Sequence, residues 1–193
     1  MWNGLCFALF WGAISWAAAI PAWAQTAAVR VIVHDSVAVD DSTLSEARLL
    51  SAGIFRDAGV EADIARGSEA CPAPAPRFCV MVLLRPRNLQ WQPGKARTMG
   101  VALAADADRA VISLYFDAVV DVARRYGQPV GRILGIALAH EMGHVLLPPP
   151  SHSQTGIMQP SWEGEDIRHA IGGDASFTAQ QATLMRERLS RTQ

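Results

Sequence analysis

Residues 130–147, VGRILGIALAHEMGHVLL, are apolar on nearly every side when wound into a helix: Ile133, Leu134, Ile136, Leu138, Val145 and Leu146 leave no polar face. Such a helix has to lie inside a domain, covered all round. Pro148, Pro149 and Pro150 then end it, because proline lacks the backbone donor and clashes with the preceding turn. Into its last turns the sequence puts three ionisable side chains, His140, Glu141 and His144. Two imidazoles and a carboxylate are costly to bury without partners. The segment therefore demands a layered fold around it and a binding or hydrogen-bonding arrangement at its end.

The flanking sequence supplies the layers. Val29–Val33 is β-branched and predicts a strand. Residues 43–58 place Leu44, Ala47, Leu50, Ile54 and Ala58 at helical spacing, with Ser42 as the expected N-cap and Gly59 as the stop. Val60–Ala65, the apolar run Val80–Leu84, Val101–Ala104 and Ala110–Phe116 read as further strands. Pro86–Gly94 reads as a loop by its Pro, Asn and Gly content. Asp117 is the expected cap of a helix through Arg125 that stops near Gly127 and Pro129. Residues 151–176 read as irregular. Thr178 opens a terminal helix carrying Ala182, Met185 and Leu189, with Arg186, Arg188 and Arg191 set to complement its C-terminal dipole. The expected fold is α+β: one mixed sheet of about four or five strands, a central buried helix and a C-terminal helix.

The whole chain is 50% hydrophobic and only 18% charged, a balance that by itself suggests a membrane. Position removes the suggestion. The first charged side chain is Arg30, and residues 25–193 carry all 17 basic and 18 acidic groups, about one residue in five, an ordinary value for a globular domain. Residues 5–20 (LCFALFWGAISWAAAI) are uncharged and apolar, then Ala22-Trp23-Ala24 forms an A-x-A cleavage site. Residues 1–24 therefore read as a secretory signal, with a mature start at Gln25. The competing reading is an uncleaved anchor, since the stretch is long enough to span a bilayer and its first four residues carry no Lys or Arg. Residues 25–193 read as one domain, expected to be monomeric and periplasmic or secreted. A net charge of −1 with no basic run argues against nucleic acid as a partner. Cys6 leaves with the signal. Cys71 and Cys79, which bracket a proline-rich loop, are expected to pair as a disulfide in an oxidising compartment.

His140 and His144 are one helical turn apart on one face, so two ring nitrogens can reach one ion. Glu141 lies about 100° round the helix, beside the ion, where it can bond a water on the metal without binding the metal itself. This is the HExxH pattern. With five His and seven Glu in 193 residues, it arises by chance roughly 0.005 times. A catalytic zinc usually takes a third protein ligand and leaves a position for water. His152 is favoured, because the proline triplet turns the chain back toward the helix end. Glu163, Glu165 and Asp166 are the acidic alternatives, and their loop-like surroundings speak against a ligand brought in on a following helix. His34 and His169 are expected at the surface or a strand end. Trp162 is placed either in a substrate pocket or in packing.

These residues resemble the metzincin metallopeptidases, whose pattern is HExxHxxGxxH followed by a Met-turn. Here the chain reads HEMGHVLLPPPSH and then SQTGIM. Leu147 stands where the family has glycine, and the third His is two residues later, Pro150 holding its usual place. The element order ahead of the central helix, strand, helix and four strands, is similar too. The resemblance implies Zn²⁺ held by His140, His144 and His152, Glu141 as the catalytic base, and Met158 passing beneath the metal. It also implies a protein or peptide substrate laid along a sheet edge near Val101–Ala104. The family's tyrosine after the Met-turn has no counterpart, since Tyr115 and Tyr126 both lie upstream. The rival from another class is a non-catalytic periplasmic domain that keeps the zinc site without turnover.

Overall fold

The computed structural model describes residues 27–72, 77–87 and 98–191. Its elements in chain order are β1 (Ala27–Asp35), α1 (Asp41–Asp57), β2 (Val60–Arg66), β3 (Phe78–Arg85), β4 (Gly100–Ala105), β5 (Arg109–Tyr115), α2 (Phe116–Tyr126), α3 (Val130–Leu146), α4 (Gly164–His169) and α5 (Ala179–Ser190). The five strands form a single mixed sheet in the order β2-β1-β3-β5-β4. β1, β2, β3 and β5 run parallel, and β4 pairs antiparallel with β5 at the edge. The coarse expectation, α+β with a sheet of four or five strands, matches this architecture. The expected leader, residues 1–24, and most of the Pro86–Gly94 loop lie outside the described residues.

The alternation of the strands sets where the core lies. Val29, Val31 and Val33 of β1, Val80 and Val82 of β3, and Ile112 and Leu114 of β5 share one cluster with Ile54 and Phe55 of α1 and with α3. Thirteen of the 17 residues of α3 are buried, so it occupies the middle of the molecule, as its all-round apolar sequence requires. Across the sheet, Ile32 and Cys79 form a small separate cluster with Cys71. The expected disulfide joins Cys71 to Cys79 and fastens the segment after β2 to the start of β3.

Three expectations need correction and a fourth is extended. The cap of α1 is Asp40, whose carboxylate accepts from the Thr43 amide at 2.8 Å, while Ser42 donates its hydroxyl to that same carboxylate at 2.5 Å. Both residue types cap well; the helix simply starts two residues earlier. Asp117 does not cap α2, because β5 runs directly into the helix and leaves no cap position for it. It accepts from the Arg87 amide at 2.8 Å. Residues 151–176 are not wholly irregular. Asp166 accepts from the Glu163 amide at 3.0 Å to open α4, Ile167 and Ala170 are buried, and a π-type turn follows over Ala170–Asp174. The arginines of α5 reach beyond its own dipole. Arg186 donates to the Ala58 carbonyl at 2.7 Å, at the end of α1, and Arg188 lies over the Phe78 ring and donates to the Asp106 carbonyl at 3.0 Å. No helix among the described residues is long and apolar enough to cross a membrane.

Candidate metal centre

α3 delivers His140 and His144 from its last two turns, and the chain turns at Pro148–Pro150 to bring His152 back against them. The ring centroids lie 4.8 Å apart for His140–His144, 5.5 Å for His140–His152 and 4.8 Å for His144–His152. Each histidine offers one nitrogen within 4.8 Å of the others, close enough for the three to hold one metal ion. Glu163 and Glu165 are exposed on or beside α4, outside this group, although a following helix does exist there. His34 bonds the Glu69 carbonyl from the end of β1 at 2.9 Å, and His169 is exposed.

The protonation of the rings follows from their partners. The Ile157 carbonyl can only accept, so His140 must carry its proton on Nδ1 and donate it at 2.8 Å. The neutral ring then directs a bare Nε2 lone pair inward. His140 Nε2 and His144 Nε2 are 3.1 Å apart. His144 Nδ1 meets the Ser151 hydroxyl at 2.7 Å. Burial pushes both imidazoles below their ordinary range, and the neighbouring rings add to this for His144, which falls to about 4. Both rings are thus neutral near pH 7, the form that ligates metals. An imidazole trio suits zinc, and also copper, iron or nickel.

Glu141, only 8% exposed, leaves α3 on the side facing β4. A Cβ at Gly100 would come within 2.5 Å of Glu141 Cγ and 2.8 Å of Leu114 Cδ2, so only glycine at this edge position lets the carboxylate lie there. Burial raises the Glu141 pKa to about 7, against a smaller opposing pull from the Ala102 amide. The histidines and Glu141 line a cleft of roughly 1050 Å³ together with Gly100–Ala102 of β4, Tyr126 of α2 and Trp162. Trp162 thus faces the cleft, half-buried, and donates from Nε1 to the Gln159 carbonyl at 3.1 Å. Tyr126, which sequence position alone left without a role, lines it as well.

Met158 is fully buried in the main core. A Cβ at Gly143 would collide with its sulfur and lie 3.1 Å from both Met158 Cε and Phe177 Cε1. The glycine inside HEMGH is what lets the segment after His152 close against α3. Sequence reasoning missed this role of Gly143, that of Gly100, and the Ser151 and Ile157 contacts to the rings. Gly143 stood inside the motif; the others carried no local signal. No known family model matches this chain, and no curated protein matches it.

Proposed function

We propose that the protein is an exported zinc-dependent metallopeptidase of metzincin-like design. The observation that carries this reading is the convergence of three histidines, one with its inward lone pair fixed by the Ile157 carbonyl, beside a buried carboxylate in an open cleft. Three protein ligands is the number with which a zinc site keeps a position for water. Bound zinc supplies the positive charge that polarises a carbonyl and acidifies water.

The chain's own residues do the rest. His140, His144 and His152 hold the ion. Glu141, with a pKa near 7, is poised both to accept a proton from the attacking water and to return it to the leaving amine. β4 is an edge strand with β5 on one side only, and its other side offers backbone groups to an extended peptide by strand addition. Met158 packs below the helix end and props the ligand-bearing turn. The uncharged leader over residues 1–24 and the Cys71–Cys79 bridge suit a periplasmic or secreted protein.

The test is metal analysis of the mature chain with cleavage of casein or a peptide library. One zinc per chain with cleavage, and zinc retained but cleavage lost in Glu141→Gln, is the expected result. One zinc per chain with no cleavage by the wild type would overturn the enzymatic reading in favour of a non-catalytic zinc-binding domain.

A further inference from the structure

His140 and His144, both half-buried, are held from behind by one and the same segment, the chain entering α5 and its first turn. His144 Nδ1 meets Ser151 Oγ at 2.7 Å, and the Ser151 carbonyl accepts from Gln181 Nε2 at 3.0 Å. His140 Nδ1 donates to the Ile157 carbonyl at 2.8 Å, and the Ile157 amide donates to the Ser176 carbonyl at 2.9 Å. Both paths end within residues 176–181, more than thirty residues beyond His140 and His144.

Gln181 has the chemistry for this. It is 8% exposed, the one buried polar side chain of α5. Its Oε1 accepts from the Thr178 amide at 3.0 Å, and its own amide donates to Thr178 Oγ1 at 3.2 Å, a reciprocal cap on the first turn. With Oε1 turned to a donor, Nε2 faces the Ser151 carbonyl, and each amide atom has a partner of the correct sense. A side chain that only capped the helix would leave Nε2 free.

We propose that Gln181 is a positioning residue for the metal centre, acting through Ser151 to fix the His144 ring. This rests on the reading of the three histidines as metal ligands. Metal-bound imidazole normally donates its remaining N–H to an orienting group, and loss of that group typically costs 10–100-fold in metal affinity. Ser151 is that group for His144, and Gln181 fixes where Ser151 stands.

The capping and positioning roles can be separated. Gln181→Glu keeps an acceptor for Thr178 and a residue suited to the cap, but it sets an oxygen against the Ser151 carbonyl. The experiment measures zinc Kd by chelator competition, the visible spectrum of the Co²⁺-loaded chain and the thermal midpoint of the metal-free chain. It compares the wild type with Ser151→Ala, Ser151→Thr, Gln181→Glu and the Ser151→Ala/Gln181→Glu pair. Ser151→Ala and Gln181→Glu should each weaken zinc about tenfold and shift the Co²⁺ bands, with the metal-free midpoint little changed. Ser151→Thr should restore binding. The pair should fall well short of the product of the single losses, because both act on one ring. Gln181→Glu with wild-type affinity and an unchanged Co²⁺ spectrum overturns the proposal, as do fully multiplicative losses in the pair. Should Gln181→Glu lower the metal-free midpoint, the same comparison is made with Gln181→Met, where wild-type affinity is again the overturning result. A wild type that binds neither zinc nor cobalt overturns the metal-centre reading itself and this inference with it, an outcome distinct from the others.

Discussion

Glu141→Gln should make the metal-free protein more stable while abolishing hydrolysis by the loaded one. Glu141 is 8% exposed, and burial raises its pKa from an ordinary 4.5 to about 7. The unfolded chain therefore ionises this carboxyl at lower pH than the folded one, and above pH 7 folding keeps a charge where it is poorly solvated. At 1.36 kcal/mol for each tenfold change in acidity, the rise corresponds to a cost of about 3 kcal/mol above pH 7, dwindling to nothing below pH 4.5. The amide replaces the charge but gains a donor that needs a partner, which offsets about 1 kcal/mol. The expected net gain at pH 8 is about 2 kcal/mol, or roughly 4–8 °C in the thermal midpoint of a domain this size. Urea titrations of both proteins in excess chelator, at pH 8 and pH 5, provide the comparison. His140 and His144 owe none of their lowered pKa to Glu141, so their contribution is the same in the two proteins and cancels. A variant no more stable than the wild type at pH 8, or one whose advantage is the same at pH 5, would refute the assignment of the cost to a buried ionised carboxylate.

Gly143→Ala places a methyl against the Met158 sulfur and Phe177; overpacking of this kind costs about 1–3 kcal/mol, read as a lower urea midpoint. His152→Ala should weaken zinc by more than the roughly 10–100-fold typical of an outer partner, with Glu163→Ala and Glu165→Ala close to wild type by equilibrium dialysis; the reverse pattern moves the third ligand to the acidic segment. In the Glu141→Gln background the metal-free chain should lose stability as pH falls from 6.5 toward 4. The unfolded His144 takes its proton near 6.5 and the folded one only near 4, so acid favours the unfolded chain; urea midpoints at pH 7 and 5 that coincide would contradict this. The Cys71–Cys79 bridge spans a separation of eight residues, for which loop entropy predicts about 2–3 kcal/mol. Cys71→Ser/Cys79→Ser should show that loss in denaturation while zinc affinity stays unchanged.

Periodicity and punctuation carried much of the fold. The all-round apolar residues of α3 and the three prolines after it foretold a central helix and the return of His152. β-branched and apolar runs located all five strands, and Thr178 marked the start of α5. Errors arose where neighbouring signals compete. Asp40 and Ser42 are both able caps, and only the start of α1 selects between them. The surroundings of Glu163 and Glu165 read as loop, yet Gly164 opens α4, in the first turn, where the reciprocal cap from Asp166 outweighs the glycine's weak propensity. The HExxH spacing exposed His140, Glu141 and His144. The groups that orient the rings were hidden, because Ser151 reaches Gln181 across thirty residues of chain and Ile157 acts through a carbonyl that every residue possesses. Contacts of that kind leave no trace in residue type.

The placement of the ring partners also has a temporal side. Synthesis runs from the amino terminus, so His140, His144 and His152 are added to the chain before Ser176 and Gln181. A chain ending short of α5 would carry all three imidazoles with Ser151 and Ile157 beside them, but without the Gln181 and Ser176 contacts that hold those two partners in place. With the three histidines as ligands, a clipped chain lacking residues 176–181 is expected to bind zinc more weakly than the full chain, even with every proposed ligand present.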